Sequence, residues 1–360
     1  MDRETLIKWI WLSELLGPAA LSPAEALGVY GTVDEAYEMA LQGQYWSARV
    51  AQAAAKAPAE LPQRAARIAE ACEGAGVTVV PYDSAFYPPL LLGLSNAPAV
   101  LYVTGRPESL TLRCISGVGT RRITPYGKRV TGELLRPVAR RGICLVSGLA
   151  HGIDAEVHKA ALAEDGVTVA VIGCPIHETY PAAHSELRRL IEQRGATVSE
   201  YPPLPMAYNR AVFPRRNRII AGMSELLAVF ECTMRSGTMR TVDWALEFGR
   251  DIFAVPGRLT DDTSEGCNRI IQSGASPLLS AADLLERLGF EGEEPEKKKA
   301  ARPPLTGDGR AIWDRLGLDP ASEEELSTEL GIPEPDLLPL LTELELGGYI
   351  TRRGGLYQRA

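Results

Sequence analysis

Phe213-Pro214-Arg215-Arg216-Asn217-Arg218-Ile219-Ile220-Ala221-Gly222 is the sharpest chemical signal in this 360-residue sequence. Residues 203 to 224 carry Arg210, Arg215, Arg216 and Arg218 and no acid, in a chain whose net charge is −8. A guanidinium presents a planar fork of N–H donors that matches phosphate oxygens, so such a patch suits a polyanion. Phe213 adds a ring face on which a base could stack, and the combination of stacking with local positive charge is what single-stranded nucleic acid requires. Arg218 precedes an apolar run and is expected to pair with an acid elsewhere in the fold.

Three further segments carry small polar residues at predicted strand ends. Gly117-Val118-Gly119-Thr120-Arg121-Arg122 would let the backbone approach a phosphate at a helix start, with Arg121 beside it. Arg122 stands where the dinucleotide fingerprint needs its third glycine, so a phosphate-cradling loop is favoured over an NAD or FAD site. Ser147-Gly148-Leu149-Ala150-His151-Gly152-Ile153-Asp154 again exposes amides and a hydroxyl; Asp154 is expected to cap the following helix structurally, with His158 one turn on. Gly-x-Ser-x-Gly is absent, so Ser147 is not read as a nucleophile. Ser236-Gly237-Thr238 forms a third anion-binding nest. Three such strand ends near basic residues suggest one continuous rim.

Other reactive residue types give no site. The six cysteines, at 72, 114, 144, 174, 232 and 267, include no Cys-x-x-Cys pair, and Cys174 reads as a buried small hydrophobe. The histidines at 151, 158, 177 and 184 lack metal-ligand spacing, so neither a metal nor a cofactor is expected.

The elements that must position these residues follow from periodicity. Between about 112 and 289, short β-rich runs (Cys114 to Val118, Ile143 to Val146, Val167 to Ile172, Ala196 to Ser199, Leu226 to Phe230, Ile252 to Val255) alternate with helical ones. This predicts an α/β fold with a parallel sheet, whose ligands bind beyond the carboxyl ends of the strands. Residues 1–75 read as a small helical domain, with Leu6, Trp9, Ile10, Leu12 and Leu16 at helical spacing. Segment 76–104 reads as strand, loop, strand leading into the main domain, 76–289. Residues 290–304 mix charges with three prolines and read as a linker. Residues 305–360 show three helical patterns and a short hairpin, a winged helix-turn-helix signature. No secretory signal is visible at the start, and the uncharged stretch 84 to 105 is interrupted by prolines; a cytoplasmic location is expected.

Overall charge, 38 basic against 46 acidic residues, argues at first against a nucleic-acid partner. The distribution along the chain reverses that argument. Residues 301 to 360 hold 6 basic and 11 acidic residues, and the candidate recognition helix near 334 to 347 carries Glu334, Asp336, Glu343 and Glu345 without a single Lys or Arg. That module is therefore read as an interaction or regulatory domain, leaving the acid-free run as the phosphate-binding element.

Gly119-Thr120-Arg121 with Tyr126-Gly127, Ser147-Gly148-Leu149-Ala150-x-Gly152-Ile153-Asp154 with His158, Tyr180-Pro181, Ser199-Glu200-Tyr201-Pro202, the Phe213 to Gly222 run, Ser236-Gly237, Phe253-Ala254-Val255-Pro256-Gly257 and Gly266-Cys267-Asn268-Arg269 resemble the bacterial DNA-processing protein A family, DprA, also called Smf. The likeness spans roughly residues 76 to 280. It implies an extended Rossmann-like domain preceded by a SAM-like helical domain and followed by a winged helix. It also implies a non-enzymatic homodimer that binds single-stranded DNA without sequence preference and loads a RecA-type recombinase during natural transformation. By motif position, Arg121, Phe213, Arg215 and Arg216 would face DNA, while Gly119, Ser147, Gly148 and Ser236 would lend backbone or hydroxyl contacts; Thr120, Asn217, Gly237 and Thr238 lie in the same motifs. His184 stands where asparagine is usual. The competing class is a phosphoribohydrolase-like enzyme, whose Gly-Gly-x-Gly-Thr-x-x-Glu pattern is broken here by Thr241 at the acid position.

Overall fold

Short, mostly apolar strands alternating with amphipathic helices build a mixed sheet with helices on both faces. In the computed structural model, residues 1–18, 21–57, 60–206, 212–290, 305–317 and 320–359 are described, and the chain divides into two units, 1 to 291 and 292 to 360. The linker expected at 290–304 lies, apart from Phe290, outside the described residues, as does Arg210.

The first unit opens with helices α1 (Arg3–Leu16), α2 (Ala24–Tyr30), α3 (Val33–Leu41), α4 (Ala48–Lys56) and α5 (Leu61–Ala75). Asp2 starts α1, its carboxylate accepting the Thr5 N–H at 2.9 Å, and Trp9, Ile10, Leu12 and Leu16 form its buried face. That face shares one hydrophobic core with Tyr102, Ala170 and Ile172 of the sheet. The helices are thus packed onto the sheet itself.

The remaining elements of this unit are β1 (Thr78–Pro81), β2 (Val100–Gly105), β3 (Cys114–Val118), α6 (Pro125–Arg140), β4 (Cys144–Ser147), α7 (Ile153–Leu162), β5 (Thr168–Ile172), α8 (Ser185–Arg194), β6 (Ala196–Ser199), α9 (Val212–Met223), β7 (Leu226–Val229), α10 (Thr238–Glu247), β8 (Asp251–Ala254), α11 (Asp262–Gln272), β9 (Ser276–Pro277) and α12 (Ala281–Arg287). The strands lie in the order β1-β2-β6-β5-β4-β3-β7-β8-β9. All neighbours pair in parallel except β2, which runs antiparallel to both β1 and β6. Every residue of β3, β4 and β5 is buried, which requires helices on both faces. One cover consists of α6 and α7 through Leu135, Val138, Ile153 and Val157; the other includes α9 and α10 through Ile219, Ile220, Val242 and Ala245.

Because β3 is flanked by β4 on one side and β7 on the other, the strand order reverses there. The crevice beyond its carboxyl end is where an open α/β sheet offers a binding site. Gly117 and Gly119 let α7 come close: a Cβ on Gly117 would lie 2.6 Å from Val157, and one on Gly119 2.5 Å from Ile153. These two glycines are required by helix-to-strand packing.

The second unit contains α13 (Gly307–Arg315), α14 (Glu323–Leu330), α15 (Glu334–Leu346), β10 (Ile350–Arg353) and β11 (Leu356–Arg359). Ile312, Leu326, Leu337, Leu341, Leu344 and Ile350 make its core. Ser322 and Glu325 form a reciprocal capping box at the start of α14. All four acids of α15 are exposed. Among the described residues, no helix is long and apolar enough to cross a membrane.

Candidate nucleic-acid interface

The loops after β3, β4 and β5 and the first turns of α9 converge on one small pocket. Arg121, Gly148, His151, Tyr180, Phe213 and Arg216 are among the residues that line it. Phe213 is half-buried, and its ring centre lies 5.1 Å from that of Tyr180 with the planes at 33°. The Arg121 guanidinium carbon stands 6.0 Å from the same Phe213 ring. Gly173, just beyond β5, makes room for that ring, since a Cβ there would sit 3.1 Å from it. Arg121 and Arg215 are both exposed, and Arg121 overhangs the aromatic face.

Several residues read as outward contacts turn inward. Ser147 is fully buried, and its hydroxyl donates to the Gly117 carbonyl at 2.7 Å, tying β4 to β3. The Thr238 hydroxyl donates to the Gly119 carbonyl at 3.0 Å and accepts from the Ser236 hydroxyl at 2.8 Å. Ser236 also accepts the Thr238 N–H at 3.1 Å, so this turn satisfies its own groups. Asn217 reaches across to the Gly237 carbonyl at 3.4 Å. The Thr120 N–H is spent on the Glu231 carbonyl at 2.6 Å, and the Thr120 hydroxyl accepts the Arg122 N–H at 3.1 Å. Ser147 and Thr238 are buried and their hydroxyls are committed to the loops, whereas Thr120, Asn217 and Ser236 are half-buried.

Arg216 also departs from its reading as a rim residue. It is 6% exposed, donates to the Gly148 carbonyl at 2.7 Å and to the Asn217 side-chain oxygen at 3.3 Å, and forms the pocket's floor. A Cβ on Gly148 would lie 2.6 Å from both an Arg216 nitrogen and an Asp154 oxygen, so only glycine fits between them. Burial pushes the Arg216 guanidinium down to about 10 and pushes the Asp154 carboxyl up, and each group's charge partly offsets the other's shift. Asp154 does not cap α7 from outside. Gly152, at φ 79°, holds the cap position, while Asp154 sits in the first turn and accepts the Ala150 N–H at 3.3 Å. Arg218 pairs with Glu200, both nearly fully buried, and donates to the Asn96 carbonyl at 3.0 Å.

His158 lies behind this floor, fully buried. Thr168 donates its hydroxyl to the Leu145 carbonyl at 2.6 Å, so it must accept from His158 Nδ1–H at 2.7 Å, which fixes the neutral tautomer. Burial drives the imidazole down to about 3. Between that value and the ordinary 6.5 the unfolded chain binds a proton that the folded chain refuses, so stability is complete above pH 6.5 and falls with decreasing pH. Unfolding free energy is expected to drop about 1.4 kcal/mol between pH 7.5 and 5.5 on this account. Urea titrations of His158→Gln should lack that component; a variant with the full wild-type pH slope would contradict it.

Residues 78–289 match the family model described as DNA recombination-mediator protein A, and residues 296–355 match the DprA winged helix domain. The chain belongs to the DNA recombination-mediator protein A family. Protein Smf of Escherichia coli K12 is 37% identical over 295 residues, covering 78% of this chain and 77% of its own length. DNA processing protein DprA of Bacillus subtilis is 38% identical over 225 residues, 62% of this chain and 75% of that protein. The X-ray structure of DNA processing protein A from Streptococcus pneumoniae superposes with a TM-score of 0.64 at 31% identity, covering 79% of this chain and 99% of that one. DNA processing protein A from Helicobacter pylori, described for its single-stranded DNA binding mode, gives 0.53 at 27% identity over 59% of this chain and 95% of that one. The resemblance read from the motifs is borne out, as are the parallel α/β core and the winged helix. Membership places the protein's role in DNA processing and recombination.

Within this family frame, the site gains residues that the motifs left unassigned. His151 and His184 meet edge to face at 4.7 Å, and His184 Nδ1 donates to the Leu149 carbonyl at 2.9 Å. That bond steadies Leu149, a buried residue held at φ 59°, where a side chain costs about 1–3 kcal/mol. An asparagine amide in place of His184 would offer the same donor.

Proposed function

We propose that this protein is a non-enzymatic, sequence-independent single-stranded DNA binder of the cytoplasm that acts as a homodimer and hands the strand to a RecA-type recombinase in natural transformation. The observation that carries the binding reading is the convergence of Arg121, Phe213 and Arg216 beyond the carboxyl ends of β3, β4 and β5, with Arg215 exposed on the same helix as Phe213. Base stacking on an aromatic face is tolerant of sequence because every base has a π-face, and guanidinium groups at the rim hold phosphates whatever the base. The Helicobacter pylori relative, described for its single-stranded DNA binding mode, supports the same partner class. Against an enzyme of similar fold, Thr241, 1% exposed, stands where ribose cleavage needs a carboxylate. The exposed acids of α15 suit a protein partner better than a phosphate backbone, so the winged helix is an interaction module.

Oligothymidine and a mixed-sequence strand of equal length should bind within about threefold of each other, and nucleoside monophosphates should release no free base. A strong preference for one sequence, or turnover of the monophosphates, would overturn this reading.

A further inference from the structure

Tyr180 is a large aromatic side chain, 49% exposed, on a loop that is otherwise firmly held. The holding group is Arg188 of α8, only 8% exposed. Its guanidinium donates to the carbonyls of Ile176 and Glu178, each at 2.6 Å, and to the hydroxyls of Thr179 and Thr104 at 3.3 and 3.1 Å. Glu192 accepts its remaining N–H at 2.7 Å and balances the charge. Arg188 thus grips the three residues immediately before or close to Tyr180 from behind. On the far side, the His184 N–H donates to the Pro181 carbonyl at 3.0 Å and its ring donates to Leu149. With both flanks of the loop fixed, the Tyr180 ring is left against Phe213, 5.1 Å between centres, on the same pocket that Arg121 overhangs.

We propose that Tyr180 is a second base-stacking residue, which extends Phe213 into a two-ring platform for one unpaired base, and that Arg188 is the residue that positions it. This rests on the single-strand reading above. At 5.1 Å between centres and 33° between planes the two rings lie partly over one another, so Tyr180, 49% exposed, continues the aromatic stack that Phe213 begins and offers a ring face to a base. In a duplex both faces of every base are covered by neighbouring pairs, so the platform contributes only when a base is unstacked. Tyr180 is therefore a determinant of single-strand preference, whereas Arg121 and Arg215 act on phosphates of either form. Its contact carries no charge, so it leaves the salt dependence alone.

The test compares the full-length protein with Tyr180→Ala, Tyr180→Phe, Arg188→Lys and the Tyr180→Ala/Arg188→Lys double variant, each checked for cooperative unfolding, on oligothymidine and on duplex of equal length. Tyr180→Ala should lose about tenfold on the single strand, nothing on the duplex, and keep the wild-type salt slope. Tyr180→Phe retains the ring and should bind within about twofold of wild type. Arg188→Lys cannot span the same oxygens; it should weaken single-strand binding several-fold, and adding it to Tyr180→Ala should cost nothing further, because both act through one contact. Unchanged affinity in Tyr180→Ala, equal loss on duplex, or an equal loss in Tyr180→Phe would overturn the stacking role. Additive losses would overturn the positioning role. A wild-type protein that ignores oligothymidine would instead sink the single-strand reading itself.

Discussion

Replacing Arg121 and Arg215 together with alanine lowers affinity for oligothymidine by about 100-fold, and by a similar factor for every other sequence. Both side chains are exposed, and Arg121 overhangs the Phe213 ring at 6.0 Å, where a stacked base would bring its phosphate within reach. A hydrogen bond to a charged group is worth roughly 1.5–3 kcal/mol, so two of them, with partial compensation by Arg216 on the floor, account for a loss of that order. Each lost phosphate contact should also flatten the salt dependence by about 0.7 on a log–log scale. Surface substitutions of this kind change stability by about 0.5 kcal/mol or less, so the variant remains folded. Fluorescence anisotropy at several salt concentrations reads both numbers, and wild-type affinity in the folded double variant would place the phosphate contacts elsewhere.

Arg218→Met is expected to have the largest effect on folding, a loss of about 3–5 kcal/mol. Arg218 is 1% exposed and its partner Glu200 is 9% exposed, so removing the guanidinium leaves a carboxylate buried beside β6 with its principal counter-charge gone. The same side chain donates to the Asn96 carbonyl at 3.0 Å and the Arg215 carbonyl at 3.3 Å, so α9 loses its tie to the loop before β2. Glu200→Gln in the Arg218→Met background should recover part of the stability, because the uncompensated charge is then gone. Urea denaturation of the single and double variants measures this directly. A loss under about 1 kcal/mol in Arg218→Met would show that the pair is not the anchor of α9.

Periodicity carried the fold: β3, β4 and β5 are short apolar runs between helical patterns, and such a signal is local in the chain. The candidate site was legible in part for the same reason, since Arg121 and Phe213, which the fold brings together, stand out by residue type within single motifs. What the chain order hides is direction. Arg215 and Arg216 are neighbours with the same chemistry, yet successive helical residues point about 100° apart, and α9 sends one to solvent and the other under Gly148. Ser147 and Thr238 look like ligand hydroxyls until the parallel pairing of β3 with β4 and the packing of α10 supply carbonyls for them. Tyr180 and Phe213 are 33 positions apart and meet only through the tertiary structure. Tyr180-Pro181 was visible as a motif, but its partnership with Phe213 depends on Arg188, which reads in the sequence as one more arginine on a charged helix.

The net charge of −8 also changes meaning in three dimensions. Acids cover α15 of the second unit, whereas the first unit exposes Arg121 over the Phe213 ring and Arg215 on α9. On the proposed function a strand is held through a few phosphates, so affinity is expected to fall with salt even though the whole molecule is acidic.

The salt dependence of binding to single-stranded against double-stranded DNA tests that claim most directly. For oligothymidine, log affinity should fall linearly with log salt at a slope of about −1.4 for the Arg121 and Arg215 contacts of one protomer, with duplex of equal length bound more weakly throughout. Affinity that stays constant between about 50 and 200 mM salt, or that is equal for the two forms of DNA, would contradict a phosphate rim organised around an unpaired base.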